Sequence, residues 1–595
     1  MPDNSKRFSR FCIELKRRKV LRSLAIYAGT AFIILEASTI IFPRWGFPDW
    51  TIDLVLWLLV LGAVINIFVA WFYDFTADGV QKTKPVEELP PGERTSDSRG
   101  WKAATYISIV VIAGLILLNI LGNPKELKAG DIQSLVILPF DNFTGDDALE
   151  NMVSGMHSSL ITDMGRVGSL QVKSRTSSNA FKGKNMTIPE IASELQADAA
   201  LETAVTCLGD TICIQLRLVR TSGDEEQLWM ADYREEKSQA LNLYNRITKE
   251  IANEVLVELS SDEEDILAEE RSVDPDAYDA YLEGLYHLNQ LTPKDFQMAM
   301  DYFQRAIDLD PDWADPHAGM SVTWMFSSYL GIVAQNIATP KINLYLDQAL
   351  DLDPHSAFAY YAKGVTAVWT EWDWEKGEKA FKKSLELNAN NSLCRLHYAH
   401  YLFCQRRHNE ALLHAKLGLE LDPLDPLILS LYAVVMLDAG KYASAVEHFE
   451  KAMSIVPGYP FASTNIFPAY RGAGYYDVWI EKWKEVVCWD EEDISTIENT
   501  LNEQGYVAAV KALLQVNEDN VKEGKPCRMH AGTKMMWYME AGEYDKAYEC
   551  LEELNDRGWL DVPYLASNMN GYEHLISYPG YVEILKKYKL PYPED

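Results

Sequence analysis

Ala299, Phe303, Ala306 and Pro311 stand 4, 3 and 5 residues apart, and Ala445, Phe449, Ala452 and Pro457 repeat those intervals. Between the two sets Ala411, Ala415, Gly418 and Pro423 keep the lattice, with Ala for Phe and Gly for Ala, and Pro423 and Pro457 are 34 residues apart. Intervals of three and four put these residues on one helix face. Small residues there let two antiparallel helices pack closely, the aromatic fills the gap to the following pair, and the proline stops the second helix. A unit of this kind cannot bury its apolar face alone and must stack against copies of itself. The expected product is an all-α solenoid with a long concave surface, which binds other chains far more often than it performs chemistry.

A 34-residue helix–turn–helix period is that of the tetratricopeptide (TPR) repeat, here placed over residues 274–595, from Asp274-Pro275 onward. One further unit ends at Asp351-Leu352-Asp353-Pro354 with Ala349 in its column. In the next, Phe381 and Ser384 take the aromatic and small columns and Ala389 replaces the proline. Weaker units lie at Tyr475–Trp489 and Gly542–Ala547, giving about seven, with the lattice lost between Asp490 and Gly524. Ligands of such arrays normally meet the first helix of each pair. Counting back from the Ala columns, the groove positions include Tyr281, Leu285, Tyr361, Trp369, His397, His400 and Cys404. These lack the Lys/Asn set that clamps a C-terminal carboxylate in chaperone-binding TPR domains, so an apolar or aromatic-anchored protein segment is the expected partner. Trp369 is either a groove anchor or, with Trp372 and Trp374, a filler between units. Cys394, His397, His400 and Cys404 share about a third of one helix's circumference, and His400 and Cys404 are spaced to touch one metal ion. No third ligand is placed by sequence, and scattered groove histidines explain the pattern as well, so no metal or cofactor is assigned.

The formal charge of −32 is unevenly spread. Residues 1–123 hold 14 Lys+Arg and 11 Asp+Glu, a net of +3, whereas the remainder holds 41 and 76, a net of −35. An acidic body argues against nucleic-acid binding, which needs a basic surface. In the near-neutral part, residues 21–42, 52–72 and 103–121 are apolar runs of 22, 21 and 19 residues, near the ~20 that cross a bilayer. Trp45, Trp50, Trp71 and Tyr73 stand at their ends, as in interfacial belts. The first run is too long for a cleaved signal, and no small-residue cleavage site follows it. Three transmembrane helices are therefore expected, with the lipid bilayer as one partner. Residues 1–20, with Lys6, Arg7, Arg10, Lys16, Arg17, Arg18 and Lys19 against Asp3 and Glu14, would stay in the cytoplasm by the positive-inside rule. The loop 73–102 would return there, and residues 124–595 would lie on the far side. Glu36 and Asn66 fall within spans, where either function or an interhelical hydrogen bond accounts for them.

Residues 131–259 read as a small α/β domain. Leu135–Phe140 is a β-rich run followed by a polar turn at Asp141–Asp147 and a helix near Ala148–Arg166. A strand near Leu170–Ser174, a helix at Pro189–Leu195, strands at Ala200–Cys207 and Thr211–Arg220, and a helix near Ala240–Leu259 complete it. Gly209-Asp210 marks a hairpin. A three-residue loop would set Leu208 against Ile212 and Cys207 against Cys213, leaving either a disulfide suited to an oxidising compartment or two ordinary thiols. Residues 260–273 form an acidic linker.

The run Phe11–Val20, with Trp71–Val80 closing the second span, resembles the membrane anchors of bacterial TPR proteins in which a TolB N-terminal-like domain follows the anchor. Many of that group look like regulators related to adenylate cyclases or to CadC-type transcription factors. This sequence shows no cyclase domain and no N-terminal winged helix, with only about twenty residues before the first span, so neither activity carries over. The first strand with Asn142-Phe143, then Ser174–Ser178 and Phe181–Asn185, is similar to that group's TolB-N/FlgO-like domain. The resemblance implies an extracytoplasmic interaction module without known catalytic residues.

No catalytic constellation is found. There is no nucleophile elbow, HExxH, dinucleotide fingerprint or Walker motif, and Phe181–Asn185 lacks P-loop glycine spacing. His157 beside Ser158 and Ser159 reads as a helix position. The expectation is a non-enzymatic, multi-pass bacterial inner-membrane protein whose periplasmic repeat and α/β domains bind a protein as scaffold or sensor. The alternatives are a regulatory subunit coupled to a separate cytoplasmic effector and, less favoured, a metal-dependent hydrolase on the Cys/His face.

Overall fold

A computed structural model describes part of residues 20–38, residues 50–82 apart from 77–78, and residues 132–592 apart from 222–225, 269–272, 291, 485–489, 525–530, 557–561 and 571. Two compact units divide the chain, Met1–Glu126 and Leu127–Asp595.

In the first unit the second apolar run forms one helix, Trp50–Phe72, of 23 residues. The described positions between 20 and 38 are helical as well. Ser23 Oγ donates to Asn66 Oδ1 and the Tyr27 hydroxyl to the Leu59 carbonyl, both at 2.8 Å, so Asn66 does make an interhelical bond. Tyr27 reaches its acceptor because residue 62 is glycine; a Cβ there would come within 2.1 Å of the hydroxyl. Trp57, Leu58, Leu61, Ile65 and Phe68 are exposed. Some side chains of this helix lie outside the described set, and among the described residues no helix is long and apolar enough to cross a membrane. The stretch 73–102, expected as a loop, opens with a hairpin of Tyr73–Thr76 against Gly79–Lys82. The run 103–121 and the turn after the first run lie outside the described residues.

The second unit begins with a mixed sheet. Its strands are β1 (Ser134–Ile137), β2 (Asp141–Asn142), β3 (Gln171–Val172), β4 (Ala199–Leu208), β5 (Thr211–Arg220) and β6 (Glu226–Glu236), in the order β3-β1-β4-β5-β6 with β2 also on β4. β1 runs parallel to β3 and β4, and β4, β5 and β6 form an antiparallel meander. Helices α1 (Glu150–Met164) and α4 (Ala240–Glu254) cover one face. The other buries Val136, Leu138 and Ala200 under α3 (Ile188–Leu195); the short α2 (Arg175–Asn179) packs on α1 and β1. β6 was not expected from sequence. Its residues are largely polar and only Tyr233 is buried, so apolar alternation hardly marks this edge strand. The cysteine register is Cys207 opposite Cys213 and Leu208 opposite Ile212, and the two sulfurs are bonded at 2.02 Å. The acidic stretch is no plain linker. Ser260 and Glu263 cap each other's ends to start α5 (Ser261–Ala268), Leu267 is buried, and Glu263 accepts from the Gly168 amide at 2.7 Å.

Among the described residues sixteen helices then pack as eight hairpins, where about seven units were expected. They are α6 (Pro275–Leu288) with α7 (Pro293–Leu309), α8 (Ala314–Tyr329) with α9 (Gln335–Leu352), α10 (Ala357–Thr366) with α11 (Trp374–Leu387), and α12 (Ser392–Cys404) with α13 (His408–Leu421). There follow α14 (Pro426–Asp438) with α15 (Tyr442–Ile455), α16 (Pro460–Gly472) with α17 (Tyr476–Lys484), α18 (Glu491–Gln504) with α19 (Tyr506–Lys522), and α20 (Ala531–Glu540) with α21 (Tyr544–Asp556). Where the lattice is lost, between 490 and 524, the hairpin persists through a single-residue turn at Gly505, whose φ of +85° suits glycine.

The lattice residues do what their size dictates. Ala299, Phe303, Ala306, Ala445, Phe449 and Ala452 are completely buried. The Phe303 ring lies between Gly284 on its own unit's first helix and Gly319 on the next; a Cβ at either glycine would sit 2.6 or 2.7 Å from it. Gly418 replaces Ala because Leu396 intrudes to within 1.9 Å of where a Cβ would be. Residues before the prolines leave the helical region, as proline requires of its predecessor: Asp310, Asp353, Asp422 and Val456 have φ of −137°, −137°, −139° and −125°.

The α/β domain is joined to the array. Its helix α1 packs on α6 so closely that a Cβ on Gly155 would meet the Leu282 carbonyl oxygen at 2.6 Å.

Candidate functional site

The seven expected groove positions are not open surface. Leu285, Tyr361, His397, His400 and Cys404 are buried, and Tyr281 and Trp369 are half-buried. Tyr281 packs on Trp313, ring centroids 4.6 Å apart. His397 is ringed by Tyr329, Tyr361 and Trp369 at 5.6, 5.7 and 5.5 Å and binds the Leu393 carbonyl; burial lowers its pKa to about 4. Trp369 also meets Phe381 edge-on, so it fills space between helices. Cys394 lies against the Phe381 carbonyl, and burial pushes its thiol up to about 12. Among the described residues no three His, Cys, Asp or Glu side chains converge as a metal site. His157 is held by the Ile137 carbonyl at 3.0 Å and kept neutral by burial, while Ser158 Oγ turns back to the Ser154 carbonyl.

What covers the first helices of the third to fifth hairpins is the chain's own C-terminal segment. It runs from a 3-10 turn at Val562–Tyr564 through a second at Asn568–Asn570 to α22 (Tyr572–Leu575) and α23 (Pro579–Lys587). On α12, His400 Nε2 lies 2.9 Å from the Leu431 carbonyl and Nδ1 lies 3.0 Å from the Tyr564 hydroxyl. A carbonyl only accepts, so Nε2 carries the proton and Nδ1 accepts from tyrosine. Burial lowers the imidazole pKa to about 3, so this histidine stays neutral. Phe403 packs on the Tyr564 ring at 5.7 Å. Arg406 donates to the Ala566 carbonyl at 2.9 Å. Asp438, buried at the end of α14, accepts from the Asn568 amide at 2.9 Å through Oδ1, while its own carbonyl accepts from Asn568 Nδ2 at 3.1 Å. Its other oxygen is 2.7 Å from His408 Nδ1. At the third hairpin the Trp374 indole donates to the Tyr588 carbonyl at 2.7 Å, and Trp372 meets the Tyr588 ring edge-on at 4.9 Å. None of Trp372, Trp374, Arg406 or Asp438 was singled out as a site by the sequence.

A second polar contact joins the α/β domain to the turns after α11 and α13. Asn390 Oδ1 accepts from the Val172 amide at 2.9 Å, and its Nδ2 donates to the Leu170 carbonyl at 2.9 Å. Lys173 Nζ donates to the Glu420 carbonyl at 2.8 Å, and the Ser174 amide to that of Leu421. Ser177 Oγ donates to Asp422 Oδ1 at 2.5 Å and accepts from the Leu424 amide at 3.0 Å. Asp425, beside it, caps α14 by accepting from the Leu427 and Ile428 amides. Burial raises both carboxyls. Asp425 has two helix amides to hold its charge, so Asp422 takes the proton, and its pKa is pushed up to about 8 by desolvation and by the Asp425 charge. The Ser174–Ser178 motif is thus an interface to the repeats.

No family model matches the chain. A protein of Rhizobium meliloti (strain 1021) named "Putative adenylate cyclase 3" is 28% identical over 250 residues, which are 41% of this chain and 42% of that protein, so the chain spans less than half of its length. Among solved structures, human IFIT1 is 17% identical with a TM-score of 0.32 over 58% of this chain and 76% of its own. Pseudomonas aeruginosa PilF is 17% identical with a TM-score of 0.29 over 39% and 98%. A thermophilic TPR protein of Thermus thermophilus is 17% identical with a TM-score of 0.27 over 33% and 99%. Overlaps this loose carry no functional argument. The hairpins and their 34-residue lattice themselves make this chain a TPR-repeat helical solenoid with a small α/β domain, distantly similar to the cyclase-named protein.

Proposed function

We propose that this is a non-enzymatic, membrane-anchored bacterial scaffold or sensor whose TPR array binds a protein segment. One observation carries the reading: the strip formed by His400, Arg406, Asp438 and Trp374 addresses a tyrosine hydroxyl, backbone carbonyls and a backbone amide, the chemistry of peptide recognition. The anchor and periplasmic placement are supported by the basic N-terminus, the three apolar runs, the apolar face exposed on Trp50–Phe72, and the Cys207–Cys213 bridge. Alkaline phosphatase fused after Leu259 is expected to be active. An inactive fusion, with a cytoplasmic reporter bright at the same place, sinks the topology.

A second reading, a regulatory subunit that passes binding on to a separate cytoplasmic effector, is favoured by the similarity to a protein named as a cyclase. Affinity capture with residues 124–595 as bait, compared with the full chain, separates the two. A scaffold partner is held by both, whereas a cytoplasmic effector needs the first 123 residues.

A further inference from the structure

In the third to sixth and the eighth hairpins the turn between the first and second helix has a position, two residues before the second helix starts, that adopts left-handed backbone. It is glycine in the fifth, sixth and eighth hairpins: Gly440, Gly474 and Gly542, with φ of +70°, +79° and +72°. In the third and fourth it is Trp372 and Arg406, with φ of +54° and +59°. Side chains are disfavoured there because Cβ crowds the following carbonyl. Among the described residues only five that are not glycine take positive φ, and three of them, Trp372, Arg406 and Lys589, lie at the contact with the C-terminal segment. A further distortion lies alongside. α10 widens into a π turn at Ala367–Glu371, which packs on Val562–Tyr564. Strain and π turns gather where a surface grips a ligand.

Each distortion delivers a contact. The Arg406 turn aims its guanidinium at the Ala566 carbonyl, and the Trp372 turn lays an indole against Tyr588. Between them stand His400, fixed as an acceptor for a tyrosine hydroxyl, and Asp438, fixed by His408 as an acceptor for a backbone amide. The segment gripped this way presents Tyr564 and, four residues on, Asn568, in two 3-10 turns.

We propose that this strip of the third to fifth hairpins is a peptide-binding site preloaded with residues 562–568 and Tyr588 of the C-terminal segment, whose intervening helices rest on the eighth hairpin, and that its ligand in trans is a partner segment of the same chemistry, a tyrosine followed four residues later by an asparagine. The C-terminal segment is then a built-in competitor that sets a threshold for the partner. This rests on the protein-binding reading above, but its test needs no natural partner.

The test uses the full chain in detergent, with a protease-recognition sequence placed within residues 557–561 and cut after folding. The released fragment is expected to stay bound through gel filtration. It should exchange one-for-one with a labelled synthetic peptide of residues 561–592. The Tyr564→Phe peptide leaves His400 without its donor, and Asn568→Ala leaves the Asp438 carbonyl without the side-chain amide; each should bind about tenfold more weakly or worse. Arg406→Gly installs the residue the other turns use, so the uncut chain should keep its thermal midpoint while the cut fragment leaves faster. The proposal is overturned if the fragment exchanges only when the repeats unfold, or if exchange is indifferent to Tyr564, Asn568 and Arg406. A dimeric mass for the uncut chain, with the segment seated on a neighbouring copy, also overturns it. Failure here leaves a scaffold with its site elsewhere; failure of the fusion and capture experiments removes the scaffold reading itself.

Discussion

Replacing Asp422 with asparagine should make the fold more stable at neutral pH. Asp422 is 3% exposed, is hydrogen-bonded by Ser177 and Ser174, and lies beside the charged cap Asp425, whose charge and the burial outweigh those bonds. Its carboxyl ionises near pH 4 in the unfolded chain and near about 8 in the folded one. Between those values the folded state holds a proton that the unfolded state has lost. Stability therefore falls as pH rises, by about 1.4 kcal/mol per unit, and levels off above the folded pKa. From about pH 5 to about pH 7.5 that is about 3 kcal/mol at most. Asparagine matches the shape of the protonated acid and cannot ionise, so Asp422→Asn removes this slope. Urea unfolding of wild type and variant should be followed by circular dichroism at both pH values. The two are expected to be nearly equal at the lower pH and to diverge by about 2–3 kcal/mol in the variant's favour at the higher. Taking the difference cancels the titrating groups remote from this pair and leaves the titration of Asp422 together with its effect on Asp425. Parallel profiles would refute the reasoning and show that Ser174 and Ser177 hold Asp422 ionised.

Two further changes probe the packing. Phe303→Ala empties the space between Gly284 and Gly319 and should cost about 3–5 kcal/mol, read as a large fall in thermal midpoint; a small fall would mean the two glycine-bearing helices close over the gap. Gly155→Val drives a branched side chain into the Leu282 backbone and should loosen α1 from α6 by about 1–3 kcal/mol, seen as faster amide exchange along α6 while β4 and β5 keep their protection.

What the sequence disclosed follows from which interactions are periodic. Alanine, phenylalanine and proline columns report on contacts that every repeat makes, so hairpins with good columns could be placed from spacing alone. The hairpin at 490–524 keeps its two helices without the columns. It starts at the Asp490 cap, where Asp490 and Asp493 cap each other, and turns at Gly505, signals that a search for one lattice passes over. The register of Cys207 opposite Cys213 was legible because a short hairpin loop fixes it locally, whereas bridge or free thiols stayed open. Groove exposure was not: Tyr281, Tyr361, Trp369 and His397 are filled by rings of adjoining helices, and His400 by what the chain does 164 residues later. His400 is read as a ligand-facing position until Tyr564 is found on it.

The contact residues nevertheless left a trace, which lies in departures from the period. Positions 372, 406, 440 and 474 are 34 apart and read Trp, Arg, Gly, Gly. A left-handed turn selects glycine, and a side chain in its place costs about 1–2 kcal/mol. Two consecutive hairpins that forgo the glycine while the next two keep it must recover that cost through the side chains themselves. Neither Trp372 nor Arg406 lies in the lattice columns, so the compensating contact has to come from outside the repeat. In a repeat protein the columns identify the scaffold, and the positions where one unit breaks a rule the others obey identify what the scaffold holds.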